Sequence, residues 1–125
     1  MTHTITYDPR DNIIELKIQG DLTLERVKDI TAEVIKVSKA QKCFLILNDL
    51  REATIKLSLL EIYELPKTVA EIARSSGLRP YDFRQAFVAR KGQDHLSFFE
   101  NVSVNRGQKA KYFFDVDEAR TWLLA

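Results

Sequence analysis

Cys43 to Leu47 reads Cys-Phe-Leu-Ile-Leu, an apolar run in which no polar residue alternates. Successive side chains of a strand leave on opposite sides of the pleat, so a strand with one wet face alternates apolar with polar. A run without alternation needs cover on both faces. It therefore predicts a central strand in a sheet with helices on more than one side.

The flanking segments extend this pattern. Ile5 and Tyr7 alternate with Thr4 and Thr6, and Ile14, Leu16 and Ile18 alternate with Glu15, Lys17 and Gln19. Asp8-Pro9-Arg10-Asp11-Asn12 lies between them, which predicts a hairpin with a wet face. After Thr23 as N-cap, Val27, Ile30, Val34 and Val37 recur at steps of three and four, the spacing of an amphipathic helix. The central strand is expected to end in a charged turn, Asn48 to Glu52.

Ser58 and Glu61 then have capping-box spacing ahead of Leu59, Ile62, Tyr63, Leu65, Val69, Ile72 and Ala73, so a long second helix follows, stopped at Gly77. Pro66 is expected to kink that helix or divide it in two. Phe83 to Arg90 predicts a strand. Asp94 is placed to cap a short helix through Leu96, Phe99 and Val102, ended by Gly107. Lys109 to Phe114 predicts the last strand, and Asp115 with Glu118 opens a final helix buried through Ala119, Trp122 and Leu123. An N-terminal hairpin followed by alternating strands and helices predicts one α/β domain over residues 1–125, its later strands parallel through right-handed crossovers.

The final stretch "YFFDVDEARTWLLA" carries Phe114, Glu118, Ala119, Trp122 and Leu123 in the order seen at the end of SpoIIAA-like proteins. Together with "IQGDLTLERV" and "LILNDLREA", it makes nearly the whole chain resemble the SpoIIAA-like group of the STAS family. The resemblance implies a STAS-like mixed sheet of about five strands with four main helices. It also implies a non-enzymatic domain that binds a protein partner or an apolar small molecule; the aromatic second half and the kink expected at Pro66 suggest, as the alternative to a protein partner, a lipid-like molecule in a cavity between sheet and helices. Anti-sigma-factor antagonists of the wider family are phosphorylated on a serine in an Asp-Ser-Ser-Gly-like turn after the third strand. Here Asp49 is followed by Leu50-Arg51-Glu52-Ala53, and the first hydroxyls are Thr54 and Ser58, so no residue matches that serine.

Composition narrows the classes of function. Nineteen Lys and Arg against eighteen Asp and Glu leave a net charge of +1, which supplies no field to attract nucleic acid or an anionic membrane. The longest apolar run is too short to cross a bilayer, and no basic-then-apolar leader opens the sequence, so the cytoplasm is the expected setting. Cys43 is the sole cysteine and reads as a small buried hydrophobe. His3 and His95 lack ligand spacing, and the four glycines stand singly, so neither a metal site nor a phosphate-cradling loop is expected, and no cofactor. Arg74, Arg79, Arg84, Arg90 and Lys91 with Tyr81 and Phe83 read as a solvated surface rather than a groove for nucleic acid.

The candidate partner- or ligand-facing residues are Asp49, Arg51, Glu52, Thr54, Ser58 and Tyr63, at the corner between the central strand and the second helix. Ligands of open α/β sheets lie beyond the carboxyl ends of strands, which is where these residues fall. Asp49 and Arg51 also have the spacing of a mutual salt bridge, and Ser58 that of a helix cap. The leading expectation is a non-catalytic protein-interaction module whose partner the sequence does not identify; homodimerisation stays open.

Overall fold

The computed structural model describes residues 2–93 and 95–125. Strands β1 (Thr2–Asp8) and β2 (Ile13–Leu22) form the predicted hairpin. Its turn is held by the Arg10 backbone N–H donating to Asp8 Oδ1 at 2.9 Å and by the left-handed φ of 53° at Asn12. Helix α1 (Leu24–Gln41) starts at Thr23, whose hydroxyl accepts from the Arg26 N–H. Strand β3 (Leu45–Ile55) leads to α2 (Leu59–Ser75), β4 (Arg84–Val88), α3 (His95–Asn105), β5 (Lys109–Phe113) and α4 (Val116–Leu124).

The sheet runs β1-β2-β3-β4-β5, with β1 antiparallel to β2 and every other pair parallel. Crossovers of one hand between adjacent parallel strands deliver their helices to one face. Accordingly Ile30, Val34, Ile62, Leu65, Leu96 and Phe99 of α1, α2 and α3 meet Ile14, Leu16, Ile46 and Phe87 of the sheet. Helix α4 follows the last strand and covers the opposite face, where Ala119 and Leu123 meet Ile13, Leu47, Ala86 and Val88. The unalternating run at the start of β3 thus has Ile46 in one core and Leu47 in the other, as its pattern requires.

Three expectations change. Pro66 does not divide the second helix: α2 is continuous, and the buried Pro66 gives its carbonyl to Gln108 Nε2 at 2.9 Å. Leu59, placed by its spacing in the apolar pattern of that helix, is exposed, as is the candidate partner-facing Tyr63. The charged turn after the central strand is not a turn; Asn48 to Glu52 belong to β3. The capping role expected of Asp94 lies outside the described residues. Gly77 does stop α2: at φ 81° it donates to Arg74 O while Leu78 N donates to Ala73 O, a Schellman closure.

Arg120 of α4 ties its helix to the hairpin. Its guanidinium donates to Asp8 at 2.7 Å, to Asp11 at 2.6 Å and to Glu15, and its side chain is 19% exposed. With Asp11 foremost, these carboxylates hold the arginine's pKa above its ordinary value. Arg120→Ala leaves three carboxylates facing one another, so it is expected to cost about 1–2 kcal/mol, the exposed rim of the cluster being screened by water. Thermal denaturation checks this as a melting temperature lowered by roughly 4–8 °C.

Candidate functional site

The site region begins where β3 outlasts its neighbour. β3 pairs with β4 only as far as Asp49 opposite Val88, but it pairs with β2 as far as Ile55 opposite Leu22. Residues 50–55 therefore have a strand on one side and a bare edge on the other, and bare backbone acceptors are costly unless paired. Two side chains from the segment after β4 cover that edge. Arg90 Nη1 donates to the carbonyls of Arg51 at 2.8 Å and Ala53 at 2.7 Å, and Gln93 Nε2 donates to those of Leu50 at 2.8 Å and Ala53 at 3.0 Å. Gln93 Oε1 accepts from the Arg90 backbone N–H at 2.7 Å, which fixes the two side chains together.

A register shift explains the polar look of this stretch. Lys17 lies opposite Asp49, but Gln19 lies opposite Glu52, so β3 carries one extra residue there. Leu50 and Ala53 are buried, and the two residues between them, Arg51 and Glu52, are both exposed. Strict alternation would have turned one of them inward.

The six candidate residues divide by environment. Asp49 shares the α4 side of β3 with Leu47, and Arg51 grips it by two parallel bonds, Nε to Oδ1 and Nη2 to Oδ2, each 2.9 Å. Glu52 accepts from Gln19 Nε2 at 2.7 Å and lies 3.4 Å from Lys17 Nζ, on the polar side of β2. Thr54 is exposed opposite Asp21. Ser58 is the N-cap of α2, with both arms of the capping box formed: the Glu61 N–H donates to Ser58 Oγ at 3.1 Å, and the Ser58 N–H to Glu61 Oε1 at 2.9 Å. Tyr63 stands one turn further along, its ring 5.4 Å beneath the Arg106 guanidinium. Among the described residues, hydrogen bonds join Asp49 with Arg51 and Glu52 with β2, but neither group with Ser58 or Tyr63.

These contacts set a pH dependence. Arg51 is the main cause holding the Asp49 carboxyl below its ordinary value of 3.8, against the opposing effect of burial. Glu52 is lowered chiefly by Gln19 and then by Lys17. A carboxyl lowered on folding contributes stability above its unfolded pKa and loses it as pH falls through the folded value. The melting temperature is therefore expected to hold from neutrality to about pH 5 and to fall below about pH 4. Asp49→Asn should flatten part of that fall; an unchanged acid limb would contradict the assignment.

The second feature is apolar. Leu59, Leu60 and Tyr63 in the first turns of α2 are 59%, 70% and 48% exposed. Leu59 and Tyr63, four apart, share a stripe, and Leu60 lies beside it. Leu60 was missed in the sequence, where only the departure of an adjacent leucine pair from helical spacing marked it.

The third feature is a cavity of about 130 Å³ between the sheet and helices α1, α2 and α3, with Leu16, Ile46, Leu50, Ile62, Phe87 and Phe99 among its walls. Pockets for drug-sized ligands span roughly 300–1,000 Å³, so this one falls well short of a lipid-like occupant. Phe99 turns its ring into this space while its neighbour Phe98 faces outward, dividing the Phe-Phe pair as the 100° helical step demands.

No family model matches the chain, and no curated protein matches it. Among solved structures, an uncharacterised protein with a SpoIIAA-like fold from Shewanella loihica superposes with a TM-score of 0.60 at 20% identity, covering 98% of this chain and 92% of that one. An anti-sigma factor antagonist from Mycobacterium paratuberculosis gives a TM-score of 0.58 at 13% identity, covering 99% and 96%. The likeness shows the fold: a SpoIIAA-like α/β domain with a five-stranded mixed sheet and four helices, as the sequence resemblance implies.

Proposed function

We propose that this domain is a non-catalytic regulatory module that binds another protein through the first turns of α2. The observation that carries this reading is the exposed set Leu59, Leu60 and Tyr63 at the rim of the sheet. Solvated leucines in a helix that otherwise buries its apolar face form a contact patch in search of cover. Arg106 above Tyr63 adds a cation to the edge of that patch, so the matching surface is apolar with a carboxylate at its rim. The likeness to an anti-sigma factor antagonist supports a regulatory reading, since that protein's described role is to act on another protein.

Asp49, Arg51 and Glu52 brace the corner from behind, and Ser58 holds the first turn of α2 in the helical geometry that presents the leucines. A photo-crosslinking residue at position 60 tests the reading. Irradiation in the source cell should give a discrete protein adduct that is absent when the same residue replaces Thr6 on β1. Equal adducts from both positions, or none from position 60, would count against it.

A further inference from the structure

The cavity between the sheet and helices α1, α2 and α3 differs from a packing flaw in its chemistry. Its walls are mostly aliphatic and aromatic, with Phe87 and Phe99 meeting edge to face at 5.1 Å, and its volume is about 130 Å³. Protein interiors leave few voids larger than a water molecule. Asn48, 6% exposed and one of few buried polar side chains of the core, is among the cavity's lining residues. Asn48 Nδ2 donates to the Ala86 carbonyl at 3.1 Å, which fixes the amide's orientation. Among the described residues Asn48 Oδ1 accepts no hydrogen bond. The other polar side chains of the lining, Thr31, Gln85 and Gln108 among them, lie partly exposed. A trapped water requires two to four polar partners, and Asn48 is the one buried polar side chain among the lining residues.

We infer that this cavity is a binding site for one small uncharged ring molecule carrying a single O–H or N–H donor, the ring filling the apolar space and the donor meeting Asn48 Oδ1. An apolar cavity of about 150 Å³ accommodates benzene, which sets the ring size. An acceptor to which the protein itself supplies no donor favours a ligand that brings one. The inference stands apart from the partner-binding surface, which lies on the outside of α2.

Phenol and benzene are the probes. Carbon-13 methyl spectra of the intact protein report on Ile18, Ile46 and Ile62 in the walls. Phenol should shift these methyls saturably and bind about fivefold more tightly than benzene. Asn48→Leu should abolish that preference while benzene binding persists. Ala70→Leu, which extends a wall residue into the space, should eliminate binding of both. If the substituted proteins fail to fold, the wild-type spectra decide alone: no saturable shift of the wall methyls, or shifts confined to the exposed turn of α2, overturns the site. Benzene binding as tightly as phenol overturns the role of Asn48.

Discussion

Replacing Arg90 and Gln93 together by alanine is expected to lower the unfolding free energy by about 3 kcal/mol, since three β3 carbonyls lose every side-chain donor on that edge. The corresponding fall in melting temperature is roughly 11 °C. The effect is large because these two side chains do the work of a missing strand: beyond Asp49, β3 has no partner in β4. With them gone, residues 50–55 hold to β2 alone and the segment leading to the Ser58 cap loosens. Denaturant titration measures the loss, and amide hydrogen exchange locates it. A change under about 0.5 kcal/mol, the range of an ordinary surface substitution, would refute this account of the corner. The visible ion pair beside it predicts the opposite scale. Asp49→Asn with Arg51→Gln removes a half-exposed pair, and such pairs contribute about 0–1 kcal/mol.

The second large effect concerns binding. Leu59→Asp with Leu60→Asp is expected to weaken capture of the cross-linked partner at least about 100-fold, as burying two carboxylates in an apolar contact does. Stability should hardly move, because both side chains are solvated and a carboxylate in the first turn of a helix is favoured by the dipole. A protein that melts normally yet no longer binds separates contact from folding. A protein that unfolds would show that these leucines support the core instead.

Much of the fold was legible because local signals and burial agreed. The unalternating run, the Thr23 cap and the Ser58 and Glu61 capping box each specify one local geometry, and the two caps stand as read, while the strand read from Cys43 begins at Leu45. The end of β3 was not legible. Asn48-Asp49-Leu50-Arg51-Glu52 carries the composition of a turn, and its strand geometry depends on donors some 40 residues later, at Arg90 and Gln93. A bulge further spoils the period that would betray a strand.

The candidate residues were legible as a cluster in sequence but not in space. Ser58 and Tyr63 follow the strand closely, yet the fold gives them to the helix layer while Asp49 faces α4. The exposed Leu59 lay hidden inside a pattern that reads as buried, because a helical stripe records direction and not where the underlying core ends.

One comparison tests the central claim most directly: the affinity of the cross-linked partner for Leu60→Asp and for the Asp49→Asn, Arg51→Gln pair, measured by calorimetry on proteins shown to melt like the wild type. The account predicts that the leucine variant loses binding and the ion-pair variant keeps it within about threefold, the range of a weak exposed pair. Loss of binding in the ion-pair variant with full binding in the leucine variant would contradict it and return the working surface to the charged end of β3.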